Sequence, residues 1–142
     1  MDDLPAVEQC IDDAYGGYTE LLGHKPKPMQ GDYGSQIQEG IVHVAVDDTG
    51  DLQGLIVFYP RDDEMLLENV AVSSRHQGKG LGKKLIAYCE DEALRQRLKA
   101  VALFTHMKMS GNRGLYLRLG YEEIVREEDV KLDRISFRKA LT

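Results

Sequence analysis

The sequence predicts an α+β fold: a mixed, mostly antiparallel central sheet that carries one parallel strand pair and is flanked by helices. Three observations predict it. Runs rich in branched and aromatic residues recur at intervals along the chain, segments with helical apolar spacing stand before and between them, and one long amphipathic stretch separates two of the strand-like runs. A connection of that length is a crossover, so the strands on either side of it are parallel. At 142 residues the chain fits a single domain spanning 1–142, long enough to bury roughly two-thirds of the surface its unfolded form exposes.

In chain order, Leu4, Val7, Ile11 and Ala14 fall at helical spacing, and Gly16 and Gly17 follow Tyr15 as a stop, so Leu4–Tyr15 is the first helix. Pro26 and Pro28 oppose helix between Lys25 and Met29. The stretch from there to Gly40 reads as a loop leading into a short second helix that Gly40 ends. Ile41–Val46 and Leu52–Tyr59 are two antiparallel strands around a turn at DDTGD, the second closed by Pro60 and the charged residues after it. Met65–Val72 is a strand. From Leu81 to Leu98 a long helix aligns Leu81, Leu85, Cys89, Ala93 and Leu94 on one side. Val101–Thr105 resumes strand, Asn112–Leu119 is a short helix closed by Gly120, and Tyr121–Arg126 with Lys131–Arg138 ends the chain as a hairpin.

Charge and composition narrow the classes of function. The 24 acidic against 18 basic residues leave a net charge of −6, which argues against binding to a nucleic-acid backbone and suits cationic or neutral partners. No apolar run approaches the ~18 residues that suggest a membrane span, and the first residues carry neither a basic region nor an apolar stretch, so a cytoplasmic location is expected. The two cysteines, Cys10 and Cys89, lie on helix faces without metal-ligand spacing and read as buried thiols. No metal site is expected.

The densest chemical signal is LLENVAVSSRHQGKGLGKKLI, where a strand passes through a basic glycine-rich turn straight into a helix. A helix start presents unpaired N–H groups and a partial positive charge, and Gly78, Gly80 and Gly82 let backbone come close to a phosphate. Arg75, Lys79, Lys83 and Lys84 favour a di- or polyphosphate there. The bland alternative is a tight turn with no ligand. Spacing narrows the ligand: a Walker loop or a dinucleotide fingerprint begun at Gly78 meets Lys83 where glycine belongs, and a fingerprint begun at Gly80 meets Leu85. What fits is QxxGxG, at Gln77, Gly80 and Gly82, after a VAV strand.

In this the sequence resembles the GNAT acetyltransferases, whose pyrophosphate loop is Q/R-x-x-G-x-G/A between a strand and a helix. Farther on, NRGLYLRLGY is similar to their NxxLYxxLGF segment, and the two motifs span Met65 to Tyr121. The resemblance implies acetyl-CoA as acyl donor and N-acetyl transfer to a primary amine. It also implies a GNAT-like sheet whose parallel pair splays, and the chain departs from the pattern by starting almost on its first helix, so the usual first strand is absent or very short. The cofactor's pyrophosphate would lie on Gln77, Gly78, Lys79, Gly80, Leu81, Gly82 and Lys83, and its arm along Val70, Ala71 and Val72 with Asn112.

Acyl transfer to an amine needs a base to remove the ammonium proton, a donor for the oxyanion and an acid for the leaving thiolate. By resemblance Tyr116, within NRGLY, is the acid; a phenol of pKa ~10 stays protonated at neutral pH, and packing in the core is its alternative role. Asn112, one turn earlier, either contacts the cofactor arm or caps the helix. Glu68, a carboxylate within a strand, reads as the base, acting through water; a salt-bridged or edge-exposed Glu68 is the competing reading. Asp32, His43 and His106 are lesser candidates. Tyr15, Tyr18, Met29, Asp32 and Tyr33 would line the site of a small-molecule or peptide amine. A sheet edge left by the missing strand would be open to pairing in a homodimer. Two other readings stand beside the enzyme: a non-catalytic acyl-CoA-binding module and, behind it, a plain nucleotide-binding protein.

Overall fold

Helix α1 spans Leu4–Tyr15 and carries the expected stripe, with Val7 and Ile11 buried and Leu4 and Ala14 half-buried. The structure, a computed structural model, describes residues 4–15, 32–106, 113–124, 129 and 131–141. Gly16, Gly17 and the prolines at 26 and 28 lie outside them. Helix α2, Tyr33–Glu39, begins at Asp32, whose side chain accepts from the Ser35 N–H, and ends at Gly40 in the left-handed region. Strands β1 (Val42–Val46), β2 (Leu52–Arg61) and β3 (Glu64–Val72) follow. A 3₁₀ turn at Ser74–His76, which the sequence reading did not include, leads to α3, Leu81–Arg95. Strand β4 (Ala100–His106), helix α4 (Arg113–Arg118) and strands β5 (Glu122–Ile124) and β6 (Arg134–Ala140) complete the order.

The six strands run β1-β2-β3-β4-β6-β5. Strands β3 and β4 are the parallel pair, over Glu64–Leu66 and Ala100–Ala102, while β1 with β2, β4 with β6 and β5 with β6 are antiparallel. This is the predicted mixed sheet with flanking helices. The described residues begin on α1, with no strand before it among them.

Two compact units are distinguishable, one of Met1–Phe58 and Asn69–Tyr88, the other of Tyr59–Glu68 and Cys89–Thr142. In the first, Val7 and Ile11 of α1, Leu55, Ile56 and Val57 of β2, and Leu85 and Ile86 of α3 are buried. In the second, Met65, Val101, Leu103 and Phe137 are the buried apolar residues of the sheet, and Cys89 and Ala93 those of α3.

Three boundaries and the burial of Leu94 depart from the sequence reading for local reasons. Strand β2 runs on through Pro60 to Arg61. Its ladder with β1 starts only at Val57, opposite Val42, so the missing proline N–H falls where β1 makes no demand. Helix α3 stops at Arg95 rather than Leu98, because Arg97 takes φ 61° and the N–H groups of Arg97 and Leu98 turn back to the carbonyls of Leu94 and Ala93 at 3.0 and 2.9 Å. That is a Schellman end without a glycine. Leu94, placed on the buried side, is instead 48% exposed, and Ile86 takes its place in the interior. Lastly, β6 begins at Arg134, since Leu132 and Asp133 form a turn with Asp133 at φ 49°.

Candidate active site

In the first unit, β3 passes through Ser73 and the 3₁₀ turn into the loop that precedes α3. Gly78 and Gly80 hold φ of 80° and 82°, and a Cβ built on either would meet no atom within 4 Å. At Gly82 the nearest atom would be Val72 Cγ2, at 3.9 Å. The loop therefore presents bare backbone to open space. The first bond of α3 runs from the Lys84 N–H to the Gly80 carbonyl at 3.2 Å, so the N–H groups of Leu81, Gly82 and Lys83 are donors the helix leaves unsatisfied. Lys79, Lys83 and Lys84 are exposed around them. Donors, room and positive charge coincide, which fits the pyrophosphate of acetyl-CoA.

Side chains brace this loop from behind. Gln77, itself exposed, folds back along the chain, its Nε2 donating to the Val72 carbonyl at 3.0 Å. Asp13, on the last turn of α1, accepts from the Ser74 N–H at 2.5 Å and from its hydroxyl at 3.0 Å. Ser73 Oγ lies 2.7 Å from His76 Nδ1.

The strand before the loop is held by a buried polar cluster that the sequence reading did not anticipate. Asn69 is 5% exposed. Its Oδ1 accepts from the Tyr15 hydroxyl at 2.6 Å, and its Nδ2 donates to the Tyr33 hydroxyl at 2.8 Å. The Tyr15 hydroxyl also lies 2.8 Å from the Val70 carbonyl oxygen. Direction along β3 follows from its neighbours: the Ser73 N–H bonds the Gln53 carbonyl on β2 at 2.9 Å, and the Ala71 carbonyl lies against Gly54 of β2. Backbone groups of Asn69, Ala71 and Ser73 thus face β2, and those of Val70 and Val72 face the opposite edge. On that edge both carbonyl oxygens lie against side-chain donors, Val72 against Gln77 and Val70 against the Tyr15 hydroxyl, whose one proton is shared with Asn69 Oδ1.

In the second unit, Glu68 is exposed while Met65 and Leu67 on the other face of β3 are buried. The premise that burial makes its charge costly does not hold; Asn69 is the polar residue this strand buries. Tyr116 of α4 is buried, its ring centroid 6.0 Å from Tyr121 and 5.4 Å from Phe137. Among the described residues no hydrogen bond engages its hydroxyl, and burial pushes its pKa up to about 12. Tyr121 differs: its hydroxyl donates to Glu90 at 2.9 Å, and Lys139 reaches the same carboxylate at 3.1 Å. Burial first, then the charge of Glu90, raises the Tyr121 pKa far above the ordinary phenol value. Asp129 is buried with Arg134 Nε at 3.0 Å and Ser136 Oγ at 2.9 Å. A cavity of about 110 Å³ lined by Arg61, Glu64, Phe104 and Arg134, among others, opens in this unit and contains neither Glu68 nor Tyr116.

Of the remaining candidates, Asn112, Tyr18, Met29 and the side chain of His106 lie outside the described residues. Asp32 caps α2, and the Ser35 N–H and hydroxyl that it accepts lower its pKa. His43 stacks on Phe58 at 4.6 Å and meets Tyr88 edge-on at 5.2 Å. Both thiols are buried, and desolvation pushes Cys10 to about 11 and Cys89 to about 12, which leaves them without thiolate character at neutral pH. No helix among the described residues is long and apolar enough to cross a membrane.

Comparison with solved structures shows the same fold at low identity. A GNAT-family acetyltransferase from Staphylococcus aureus Mu50 aligns at TM-score 0.75 and 18% identity, over 98% of this chain and 95% of that one. PaiA N-acetyltransferase from Thermoplasma acidophilum, solved in complex with coenzyme A, aligns at 0.78 and 14%, over 98% and 93%. The ribosomal-protein-S18-alanine N-acetyltransferase from Escherichia coli aligns at 0.75 and 20%, over 100% and 90%. Identities this low carry the fold alone. Membership comes from the family model for the acetyltransferase (GNAT) family, which matches residues 7–121 and so takes in α1, the glycine loop and Tyr116. The chain belongs to the acetyltransferase (GNAT) family and is an acetyl-CoA-dependent acyltransferase.

Proposed function

We propose that this chain is an N-acetyltransferase that transfers the acetyl group of acetyl-CoA to a primary amine. The observation that carries the reading is the open glycine loop at the head of a 15-residue helix, within a chain of the acetyltransferase family. Acetyl-CoA, when bound, supplies an activated thioester. The chain's own residues supply the rest. Gln77 to Lys83 hold the pyrophosphate on backbone N–H groups, and Lys79, Lys83 and Lys84 add charge. The edge of β3 at Val70 to Val72 receives the arm chiefly through N–H donors, because its two carbonyls are capped. Asn112 contacts the same arm.

Glu68 is the general base. An exposed carboxylate suits removal of the amine's proton through water better than direct contact does. Tyr116 is the general acid, its hydroxyl giving a proton to the departing sulfur. With a pKa near 12 the phenol holds that proton at every pH where an amine reacts. The net charge of −6 agrees with a cationic acceptor.

The test is release of free thiol from acetyl-CoA with a panel of small amines and peptides, read together with mass spectra for gain of one acetyl group. Binding of acetyl-CoA without thiol release across the panel would favour the acyl-CoA-binding module instead. Tyr116→Phe keeps the ring and removes the acid, so turnover should fall by ~10²- to 10⁴-fold with acetyl-CoA affinity little changed. Because burial raises the Tyr116 pKa, the factor between parent and variant should stay constant from neutral pH to about 10 and close only as the phenol ionises near 12. The stability tied to its protonation follows the same sign, present below the unfolded phenol value and lost as pH rises through 12. Full turnover by Tyr116→Phe would make Tyr116 a core residue and water the donor.

A further inference from the structure

We infer that Tyr15, Asn69 and Tyr33 form a positioning device for acetyl transfer, in which the end of α1 and the start of α2 set the orientation of the β3 backbone at Val70. The inference rests on the acetyl-transfer reading and adds residues to it.

Asn69 follows the candidate base Glu68 directly and precedes the strand edge assigned to the cofactor arm. Its carboxamide is buried and each end is committed, Oδ1 to Tyr15 at 2.6 Å and Nδ2 to Tyr33 at 2.8 Å. A buried amide whose donor and acceptor are both used is fixed in rotation, since flipping it would set like groups against each other. Tyr15 is the last residue of α1 and Tyr33 the first of α2. One side chain of β3 therefore ties down both the last residue of α1 and the first of α2. The same Tyr15 hydroxyl reaches the Val70 carbonyl at 2.8 Å, and two residues earlier on α1 Asp13 holds Ser74. The last turn of α1 thus reaches β3 and the 3₁₀ turn after it at three places: the Asn69 side chain, the Val70 carbonyl and Ser74.

The consequence is chemical. With the Val70 oxygen engaged, the peptide group between Val70 and Ala71, whose N–H faces β2, cannot roll. This holds the adjoining peptides, whose Val70 and Val72 N–H groups are the donors on the open edge of β3, in a fixed direction. Preorganised donors are worth most where charge develops during reaction, and displacements of about 1 Å at such sites cost on the order of 10²-fold in rate. A hydroxyl that only filled the core would affect stability without affecting turnover by the folded enzyme.

Tyr15→Phe removes the hydroxyl, and with it the contacts to Asn69 and Val70, at little cost in volume. The expected result is a fall in kcat of about tenfold, with the affinities for coenzyme A and for the acceptor within about twofold of parent, because loop and ring packing are untouched. Tyr33→Phe, which leaves the grip on Val70 in place, should cost about threefold in kcat. The control is Ile11→Val on the same helix, buried but without a polar role, which should lower the melting temperature and leave kcat at the parent value. Parent kcat in Tyr15→Phe, or an equal loss of kcat in Ile11→Val, overturns the inference while leaving the enzyme an acetyltransferase. A parent protein that transfers acetyl to no amine overturns the acetyl-transfer reading, and this inference with it.

Discussion

Two carbonyls on one edge of β3 are capped in opposite ways. The Val72 oxygen accepts from Gln77, five positions along the chain and at the exposed side of the loop, and the Val70 oxygen accepts from Tyr15, 55 positions away and buried. The first cap belongs to the glycine loop. It braces a segment that presents bare backbone to open space, so for the proposed cofactor binding what matters there is the absence of side chains. The second belongs to a closed cluster of side chains that meet only once α1 and β3 are packed together. Apart from the tie of Ser74 to Asp13 of α1, the loop is thus specified locally, and the strand behind it is specified by tertiary structure.

The largest expected effect strikes the loop at its backbone. Gly82→Asp places a carboxylate where only Val72 Cγ2 stands nearby, at 3.9 Å, and Gly82 is not among the glycines held at positive φ. The protein should fold normally. A unit charge beside a phosphate a few ångströms away at effective dielectric ~20 opposes binding by ~3 kcal/mol, so acetyl-CoA affinity should fall on the order of 10²-fold. Isothermal titration checks it, and parent affinity in the folded variant would move the cofactor elsewhere.

A second variant strikes between the two caps. An added Cβ at Gly54 would stand 2.8 Å from the Ala71 carbonyl oxygen, 3.2 Å from Leu81 and 3.4 Å from Leu85. Gly54→Val must push β3 away from β2 at the residue that separates Val70 from Val72, at an overpacking cost of ~1–3 kcal/mol. A melting temperature lower by roughly 3 to 10 °C is expected, with loss of both binding and turnover, because Tyr15 and Gln77 cannot both follow the strand. An unchanged melting temperature would mean that the strand has slack and that its orientation is not closely set.

How legible each region was in the sequence follows from the same division. The QxxGxG spacing, the helix after it and the strand before it are contiguous, so periodicity and glycine positions could be read together. Helices α2 and α4 end in glycines of positive φ, Gly40 and Gly120, and the sequence marks both ends. Helix α3 ends by the same hydrogen-bond pattern with Arg97 in the glycine position, and nothing local distinguishes that arginine from one that continues the helix. Asn69 shows the limit most clearly. Its neighbour Glu68 drew the functional reading because a carboxylate in a strand looks anomalous, yet the strand exposes Glu68 and buries Asn69. Only the arrival of two tyrosines, 54 and 36 positions away, makes burial of that amide acceptable.

A smaller effect tests whether the two caps differ in function as well as in origin. Gln77→Ala removes the bond to the Val72 carbonyl. Because Gln77 is exposed, water can satisfy the vacated oxygen, and the net loss should be ~1 kcal/mol, or about fivefold. That loss should appear as weaker acetyl-CoA binding, since the loop is less well braced, and kcat at saturating acetyl-CoA should stay at the parent value. Tyr15→Phe should show the reverse, a lower kcat with affinity intact. If Gln77→Ala lowers kcat as well, then the Val72 peptide also sets the reaction geometry, and the two caps are one device reached from both ends of β3. A fivefold change confined to affinity keeps them separate: the local cap shapes a binding loop, and the long-range cap aims the strand at which the acetyl group is transferred.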